Sequence, residues 1–381
     1  MAAPLLIRRE DETSVVSKTV SKSRAGKFRD GWVDGFLWFI RIAAILVVGF
    51  GIFRSVVMTL NGEGTSIDAW ENLIVSGVAQ GAMYGMLALG YSMVYGVLGF
   101  INFAHGEVFM GGAMVSFFVA QALFDNGVWE SNFALSLFII LIVAVLTSTL
   151  IAVIVERVAY RPLRDAPRII PLITSIGISF FLQYTFAGLF GEGVKTYPTP
   201  PDYLRNKVNV LGFLPIEGTK ILVMVVALIS MIGLYFYVQK TRAGRAMRAV
   251  AEDKEIAALM GINVDRTIVS TFAVGGAMAG VAGILWALLF RSISFITGFL
   301  PGIKAFTAAV LGGIGNLAGA MVGGIVLGLF ENVGTIVVLG GLGIPGAGTL
   351  KDVISFSALV LVLVFRPRGL FGERLSHEDR P

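Results

Sequence analysis

Residues 94–113 read Val-Tyr-Gly-Val-Leu-Gly-Phe-Ile-Asn-Phe-Ala-His-Gly-Glu-Val-Phe-Met-Gly-Gly-Ala and join two long apolar segments. Within them, Asn102, His105 and Glu107 place three polar side chains in six consecutive positions. A charged side chain costs about 2.5–3.5 kcal/mol in hydrocarbon on insertion scales, so it is tolerated only against protein or water. Glycines such as Gly106 let the backbone bend or approach a second helix closely. Two interpretations follow, a broken helix pair that faces a solute pathway and a tight turn at the membrane face.

The composition of the chain is typical of a membrane protein. Of 381 residues, 56% are hydrophobic and 14% are charged, whereas a soluble domain carries about 25% charged residues. Long apolar segments and 47 glycines, which suit close packing in lipid, predict an all-α polytopic membrane protein. We expect a bundle of about 9–10 transmembrane helices with glycine-rich broken or short segments. The net charge of +5 favours membrane lipid as a partner and not nucleic acid, because basic residues cluster beside apolar spans.

The distribution of charge across the loops predicts the orientation. Four arginines fall in residues 157–168, and a second basic loop covers residues 240–266. The positive-inside rule places both loops in the cytoplasm. Residues 125–132 contain no lysine or arginine and are expected outside. If about ten apolar segments all cross, both termini are cytoplasmic, but segments 303–315 and 353–365 are short for unaided spanning and stay open.

An internal repeat is a second feature of the sequence. Residues 97–106 resemble residues 310–319, and the two copies carry Asn102 and Asn316 at similar positions. Interrupted apolar segments in matching positions point to the substrate site of a transporter. Chance similarity between glycine-rich apolar strings is the alternative. On the first interpretation, the residues of the translocation pathway or gate are Asn102, His105, Gly106, Glu107 and Asn316.

Residues 243–260 predict a cytoplasmic helix, because the segment is rich in alanine. Gly261 is expected to end it, and Asn263 or Asp265 to cap the helix that follows. A small apolar edge adjoins a charged turn at residues 252–255, and this combination suits docking into a groove of a soluble partner. A surface helix that lies against the bundle is the alternative. The apolar edge comprises Ile256, Leu259 and Met260.

With these stretches in view together, the sequence resembles the permease subunits of the branched-chain amino acid ABC importers. This is the high-affinity leucine/isoleucine/valine uptake family, and the likeness is to the first of its two permease types. The resemblance covers residues 69–372, whereas the residues before Ala69 depart from the family pattern. The motifs that carry it lie, in the family's order, at residues 102–107, 156–164, 174–177, 244–253, 257–263 and 304–315.

The resemblance and the charge pattern divide the chain into four regions. Residues 1–31 are expected to form a polar cytoplasmic arm, and residues 32–68 an extra N-terminal membrane span with an external loop. Residues 69–372 form the ABC importer permease domain, and residues 373–381 a polar cytoplasmic tail. The resemblance gives no role to the extra span.

The resemblance also implies a function. Permeases of this family are membrane subunits and not enzymes, and they translocate branched-chain or related amino acids across the bacterial inner membrane. The implied partners are a second related permease, two cytoplasmic ABC ATPase subunits and a periplasmic amino-acid-binding protein. Because the chain lacks a phosphate-binding Gly-x-x-x-x-Gly-Lys-Ser/Thr motif, we expect it to bind no cofactor and the ATPases to use ATP and Mg. The ATPase-coupling loop corresponds to Glu252, Asp253, Glu255, Ala257, Ala258 and Gly261.

A pathway must let its solute leave as well as enter. We therefore expect affinity to lie in the external binding protein, while the predicted gate residues shape the passage. Asn102 is expected to bond exposed backbone at the helix break. His105 and Glu107 are expected to pair with each other or with a neighbouring helix, which would offset the cost of burying them.

Three alternatives differ in substrate or in class. Importers of urea or short amides share the Asn-x-Ala-His-Gly-Glu stretch, so this motif does not select the substrate. An aquaporin-like passive channel would suit duplicated Asn-containing bends, but the chain lacks Asn-Pro-Ala and a passive channel needs no docking loop. An intramembrane metalloenzyme is disfavoured, because His105 and Glu107 supply two ligands where zinc catalysis usually uses three. No metal site is predicted.

Overall fold

The computed structural model describes residues 24–62, 65–164, 166–210, 214–366 and 369–372. Most of the predicted cytoplasmic arm, and the predicted tail at 373–381, lie outside the described residues. The chain divides into two compact units, residues 1–50 and 51–381. The described part of the first unit is a single helix. Many of its apolar side chains are exposed, among them Trp38 at 60% and Phe39 at 67%, as expected for a helix surrounded by lipid.

Helices make up most of the described chain. In order they are α1 (Arg24–Leu60), α2 (Ile67–Leu98), α3 (His105–Asp125), α4 (Val128–Ser131), α5 (Phe133–Val155), α6 (Ile169–Phe190), α7 (Asp202–Arg205), α8 (Gly218–Lys240), α9 (Arg242–Glu252), α10 (Lys254–Leu259), α11 (Val264–Phe290), α12 (Phe299–Gly312), α13 (Leu317–Leu329) and α14 (Lys351–Phe365). Wider π-helical turns continue α5 at Glu156–Tyr160 and α13 at Phe330–Gly340, and 3-10 turns lie at Arg161–Leu163 and Ala347–Thr349. Two short antiparallel ribbons pair β1 (Lys195–Thr196) with β4 (Ser292–Ile293), and β2 (Lys207–Val210) with β3 (Leu214–Glu217).

Eight helical segments of the described chain are long and apolar enough to cross a membrane. Two further apolar helices are shorter, since α12 has 14 residues and α14 has 15. At 1.5 Å per residue these two span about 21 and 22 Å, against about 30 Å of hydrocarbon. They match the short segments predicted at 303–315 and 353–365. The predicted all-α polytopic fold, with broken or short glycine-rich segments, is confirmed.

Glycines set the closest helix crossings of the second unit. Helix α2 lies at its centre, because every residue from 79 to 94 is buried. It crosses α13 so closely that a Cβ on Gly81 would lie 2.7 Å from the Cα of Ile325. Helices α5 and α11 cross in the same way, and a Cβ on Gly280 would lie 2.6 Å from the carbonyl oxygen of Ala144. Small residues at such crossings are what helix packing in lipid favours.

The second unit has two ends that differ in the residues they hold. The arginine end holds residues 157–168 and 240–266 and the last turn of α2, where a Cβ on Gly96 would lie 3.7 Å from that of Ala251. The strand end holds the four strands, the first turns of α2, α8 and α14, and the last turn of α11. At the strand end, Lys220 Nζ donates a 2.6 Å hydrogen bond to Asn72 Oδ1.

Candidate functional site

The chain turns back into the bundle between α2 and α3. Gly99 ends α2 with a φ of +78°, a left-handed conformation that glycine adopts without strain. The imidazole of His105 then packs against Gly90, where a Cβ would clash with the ring, and meets Tyr91 edge-on at 4.9 Å. Gly90 precedes the last residue of α2 by eight positions, about 12 Å along the helix axis, so the side chain of His105 reaches well back along α2. The chain is thus interrupted between two helices, and Phe100, Asn102 and Ala104 of the interruption are buried.

Asn102 holds the irregular backbone of this break, residues 99–104. Its Oδ1 accepts a 3.1 Å hydrogen bond from the backbone N–H of Ala104 and a 2.6 Å hydrogen bond from the hydroxyl of Tyr160. The side chain is 4% exposed. Irregular backbone at membrane depth is tolerated only where its polar groups are satisfied by protein or water, and Asn102 supplies one such partner.

Glu107 is fully buried and bonded to a neighbouring helix. Its Oε1 accepts hydrogen bonds from Ser179 Oγ at 3.1 Å and from Gln183 Nε2 at 2.7 Å, both on α6. Its Oε2 faces the start of α12, where a Cβ on Gly298 would clash with it. Within the described residues, neither Glu107 Oε2 nor His105 Nε2 has a hydrogen-bond partner. Of the two predicted pairings, Glu107 therefore makes the one with a neighbouring helix.

Gly106 and Asn316 act on the backbone in different places. Gly106 lets α3 meet the first turn of α12, since a Cβ there would lie 3.0 Å from the Cα of Gly302. Asn316 caps α13 by accepting a 3.0 Å hydrogen bond from the N–H of Gly319, and its Nδ2 donates to the carbonyl oxygen of Phe371. Both copies of the predicted repeat thus end at the start of a helix. The hydrogen bonds of Asn316 in the described chain do not reach the cluster of Asn102, His105, Gly106 and Glu107.

A second buried polar cluster was not foreseen from the sequence. Lys304 Nζ on α12 lies 3.0 Å from Glu331 Oε1, after α13, and 2.6 Å from Asp352 Oδ1 on α14. Glu331 is fully buried. Its oxygens also accept hydrogen bonds from Gln80 Nε2 at 2.9 Å, from the hydroxyl of Tyr84 at 3.0 Å and from Ser355 Oγ. A signal existed, because an ionisable residue inside an apolar segment is itself reason to infer a functional site.

A third cluster joins α5 to α11 at the arginine end. Arg164 pairs with the fully buried Glu156 and with Asp265, and Arg161 Nη2 lies 2.8 Å from Asp265 Oδ2. The same π-helical turn carries Tyr160, whose hydroxyl reaches Asn102. One motif, residues 156–164, therefore contacts both the first turn of α11 and the break between α2 and α3.

The predicted coupling helix at 243–260 is two helices. Asp253 breaks it, because its Oδ1 accepts hydrogen bonds from the N–H groups of Glu255 at 2.8 Å and Ile256 at 2.9 Å and so caps a new helix, α10. Gly261 follows with a φ of +83°, and Asn263, not Asp265, caps α11 through the N–H of Arg266. Within α10 only Ala257 is buried. The residues left exposed are Glu252, Asp253, Glu255, Ala258 and Gly261, together with Ile256, Leu259 and Met260.

The described residues contain no group of three or more His, Asp or Glu side chains placed to hold a metal ion. His105 is 2% exposed and sits among Gly90, Tyr91 and Gly275. His377 lies outside the described residues. What the geometry offers instead is two buried polar clusters that both involve the short helix α12, one through Glu107 beside Gly298 and one through Lys304.

Comparison with known proteins gives a consistent result. Residues 73–363 match the family model described as branched-chain amino acid transport system, permease component. The chain is 40% identical over 301 residues to the high-affinity branched-chain amino acid transport system permease protein BraD of Pseudomonas aeruginosa, covering 78% of this chain and 94% of that protein. It is 41% identical over 302 residues to the permease protein LivH of Escherichia coli, with the same coverage. A probable LivH of Methanocaldococcus jannaschii is 28% identical over 80% of this chain and 94% of its own length. The chain therefore belongs to the family of permease components of branched-chain amino acid transport systems.

Proposed function

We propose that the chain is the membrane subunit of an ATP-driven importer that moves branched-chain or related amino acids across the bacterial inner membrane. The substrate class follows the similar permeases BraD and LivH, whose names state branched-chain amino acid transport. The observation that carries the ATP-driven part is the uncovered apolar edge of α10, where Leu259 is 86% and Met260 is 79% exposed. Apolar side chains so exposed at a loop tip suit a groove on a partner protein.

In this proposal the arginine end lies in the cytoplasm, following the positive-inside rule. Helix α10 then docks on one of two ABC ATPase subunits, which use ATP and Mg. A second related permease completes the membrane part, and a periplasmic amino-acid-binding protein delivers substrate to the strand end. Residues 69–372 form the permease domain, residues 32–68 add a span of unassigned role, and both termini are cytoplasmic.

The proposed route from ATPase to gate is a chain of contacts. Movement of α10 is transmitted through Gly261 and Asn263 to the first turn of α11, which carries Asp265. Arg164 bonds both Asp265 and Glu156, and Tyr160 on the same turn bonds Asn102. Packed helices and ion pairs of this kind can transmit a displacement when the element at the far end has two arrangements. We infer that the break at residues 99–104 is that element.

At the gate, Asn102, His105, Gly106 and Glu107 shape the passage, and Asn316 shapes the second break beside the end of α12. They do not bind substrate tightly, because a deep binding site along a pathway slows release. All four residues in the first group contact backbone or a neighbouring helix, as a structural gate requires. Affinity resides in the external binding protein.

Uptake by the assembly in vesicles tests this proposal. The chain and its partner subunits are reconstituted with ATP on the cytoplasmic side, and accumulation of labelled leucine is followed with leucine, urea or a polar amino acid as competitor. We expect ATP-dependent accumulation that only branched-chain or related amino acids inhibit. Inhibition of leucine accumulation by urea would instead indicate a short-amide importer, and equilibration of leucine without ATP would identify a passive channel.

A further inference from the structure

A cavity opens at the strand end of the second unit. Its volume is about 550 Å³, within the range of about 300–1,000 Å³ usual for small-molecule sites. It lies between the first four turns of α2, the first turns of α8 and α14, the last turn of α11 and the π-helical turns after α13. Its lining residues are Thr65, Ala69, Asn72, Leu73, Ser76, Gln80, Lys220, Leu289, Phe290, Asn332, Ile336 and Lys351.

The charges of this lining are of one sign. Lys220 and Lys351 face the cavity, and no carboxylate is among the described lining residues. Lys351 Nζ donates to the neutral amide oxygen of Asn332 at 2.8 Å, and Lys220 Nζ donates to that of Asn72 at 2.6 Å, with Glu217 Oε2 3.7 Å away. An ammonium group has three donors, and the described hydrogen bonds use one in each lysine. The lining therefore offers donors and positive charge to an anionic group.

The two carboxylates that adjoin Asn332 and Lys351 in the sequence are already paired. Glu331 precedes Asn332, and Asp352 follows Lys351, and both bond Lys304 at 3.0 Å and 2.6 Å. Neither carboxylate is among the described residues that line the cavity, and both bond Lys304 on α12. The positive character of the lining is thus a consequence of how the buried cluster is arranged.

The remaining lining combines apolar surface with uncharged acceptors. Leu73, Leu289, Phe290 and Ile336 supply aliphatic and aromatic surface, while Asn72 and Ser76 supply oxygen atoms. A matching ligand has an anionic group for the lysines, a cationic group for the oxygens and an aliphatic body for the apolar side chains. We propose that this cavity is a low-affinity receiving site for a zwitterionic amino acid with an aliphatic side chain, whose carboxylate binds Lys351 and Lys220.

This inference rests on the proposed function, because it assumes that substrate is delivered at the strand end. It adds a place where the substrate waits before the gate opens, inside this subunit. Low affinity suits that role, since a solute handed over by a binding protein must be able to move on. The buried cluster of Lys304, Glu331 and Asp352 lies below this site and joins it to α12.

Protection of an introduced thiol tests the site directly, because the chain has no cysteine. A Ser76→Cys variant in the complete assembly is alkylated with a membrane-impermeant reagent, with and without leucine. At leucine concentrations about twice the dissociation constant, occupancy slows alkylation about threefold. We expect protection by leucine and by 4-methylpentanoate, which keeps the carboxylate, and little protection by leucinamide, which lacks it. An Asn209→Cys variant on exposed β2 is the control thiol and stays unprotected.

Lysine variants in the Ser76→Cys background identify the carboxylate ligand. Lys351→Met abolishes protection, Lys351→Arg keeps it, and Lys207→Met, which removes an exposed lysine of β2, leaves it unchanged. The alkylation rate of the Lys351→Met variant without leucine reports whether its cavity has kept its shape. If that rate differs from the parental one, Lys220→Met provides the second variant. Equal protection in the parent and in both methionine variants, or none with leucine in an assembly that imports leucine, would overturn the site while leaving transport intact. Absence of ATP-driven leucine uptake in the unmodified assembly would instead refute the proposed function.

Discussion

The hydroxyl of Tyr160 donates a 2.6 Å hydrogen bond to Oδ1 of Asn102, although the two residues are 58 positions apart. Tyr160 ends the π-helical turn after α5 and directly precedes the segment whose arginines, Arg161 and Arg164, bond Asp265 at the start of α11. Asn102 holds the backbone break that leads into α3. The bond therefore connects the region proposed to transmit the movement of the ATPase with the region proposed to gate the passage. Both side chains are buried, at 1% and 4% exposure, so water does not compete for it.

Tyr160→Phe should uncouple the two regions without unfolding the protein. The ring keeps its contacts with Phe100 at 5.4 Å and Phe272 at 5.7 Å, so only the hydroxyl is lost. A hydrogen bond contributes about 1 kcal/mol net, which corresponds to about a fivefold change in rate. We expect leucine uptake per ATP hydrolysed to fall by about that factor. Uptake and hydrolysis measured on the same vesicles give the ratio.

A double-mutant cycle supplies the control for this variant. If Tyr160 acts through Asn102, adding Tyr160→Phe to Asn102→Ala should change the rate little, because the bond is already absent. Independent, additive effects of the two substitutions would contradict the proposed connection.

The sequence was informative wherever the signal is local. Asn102, His105, Gly106 and Glu107 stand out as polar or flexible residues in an apolar stretch, and the structure places them together. Asn263 and Gly261 mark helix ends through their own side chain or lack of one. The break at Asp253 is not predicted, because the alanine-rich surroundings favour one continuous helix. Asp253 starts a new helix only through hydrogen bonds from the N–H groups of Glu255 and Ile256, which the sequence pattern does not specify.

Partners distant in sequence could not be predicted. Nothing in periodicity specifies that Gln183 reaches Glu107, or that Tyr160 reaches Asn102, because hydrophobicity assigns faces to helices and not neighbours. Lys304 and Glu331 carried a signal as charges in apolar segments, but their pairing depends on how α12 packs beside the turns after α13. Such pairings emerge only from the packing of the whole bundle.

The docking interpretation of α10 predicts the effect of Glu255→Lys combined with Gly261→Leu. Glu255 is exposed in the first turn of α10, where a negative charge is favoured and a positive one is not. Gly261 has a φ of +83°, which a leucine adopts only with strain. We expect uptake and substrate-stimulated ATP hydrolysis to be lost while the chain still inserts. Co-purification of the ATPase with the tagged variant measures docking, and Glu192→Lys, an exposed change at the strand end, is the matched control. Normal ATPase binding and uptake by the double variant would exclude this role.

Removing Lys304 alone should destabilise the bundle more than removing Lys304 together with the charge of Glu331. Lys304→Met leaves Glu331 buried without its cation, and loss of one partner of a buried ion pair costs about 3–5 kcal/mol. Adding Glu331→Gln should restore part of that stability, since the half-exposed Asp352 side chain can be hydrated. Thermal unfolding of the purified parent and of both variants in detergent measures the order of their stabilities. Lys207→Met on exposed β2 should be neutral, and a Lys304→Met variant as stable as the parent would show that the cluster is not structural.

The orientation of the bundle predicts which thiols are labelled from outside. Asn126→Cys, in the loop after α3, should react with an impermeant reagent in intact cells. Arg157→Cys, at the arginine end, should react only after the membrane is permeabilised. Both positions are exposed, so access and not burial decides the result. Labelling of position 157 but not 126 in intact cells would invert the topology.

The gate residues should affect the rate of transport and not its substrate dependence. Glu107→Gln removes the charge while an amide can still meet Ser179 and Gln183, and Asn102→Ala frees the N–H of Ala104 and the hydroxyl of Tyr160. Because neither residue is proposed to set affinity, the substrate concentration for half-maximal uptake should stay close to the parental value while the maximal rate falls. Gln121→Ala, near the far end of α3, is a control that should leave both unchanged. Initial uptake rates measured over a range of leucine concentrations separate the two quantities. If both variants assemble with their partners and transport at the parental rate, residues 99–107 are a scaffold and the gate lies elsewhere.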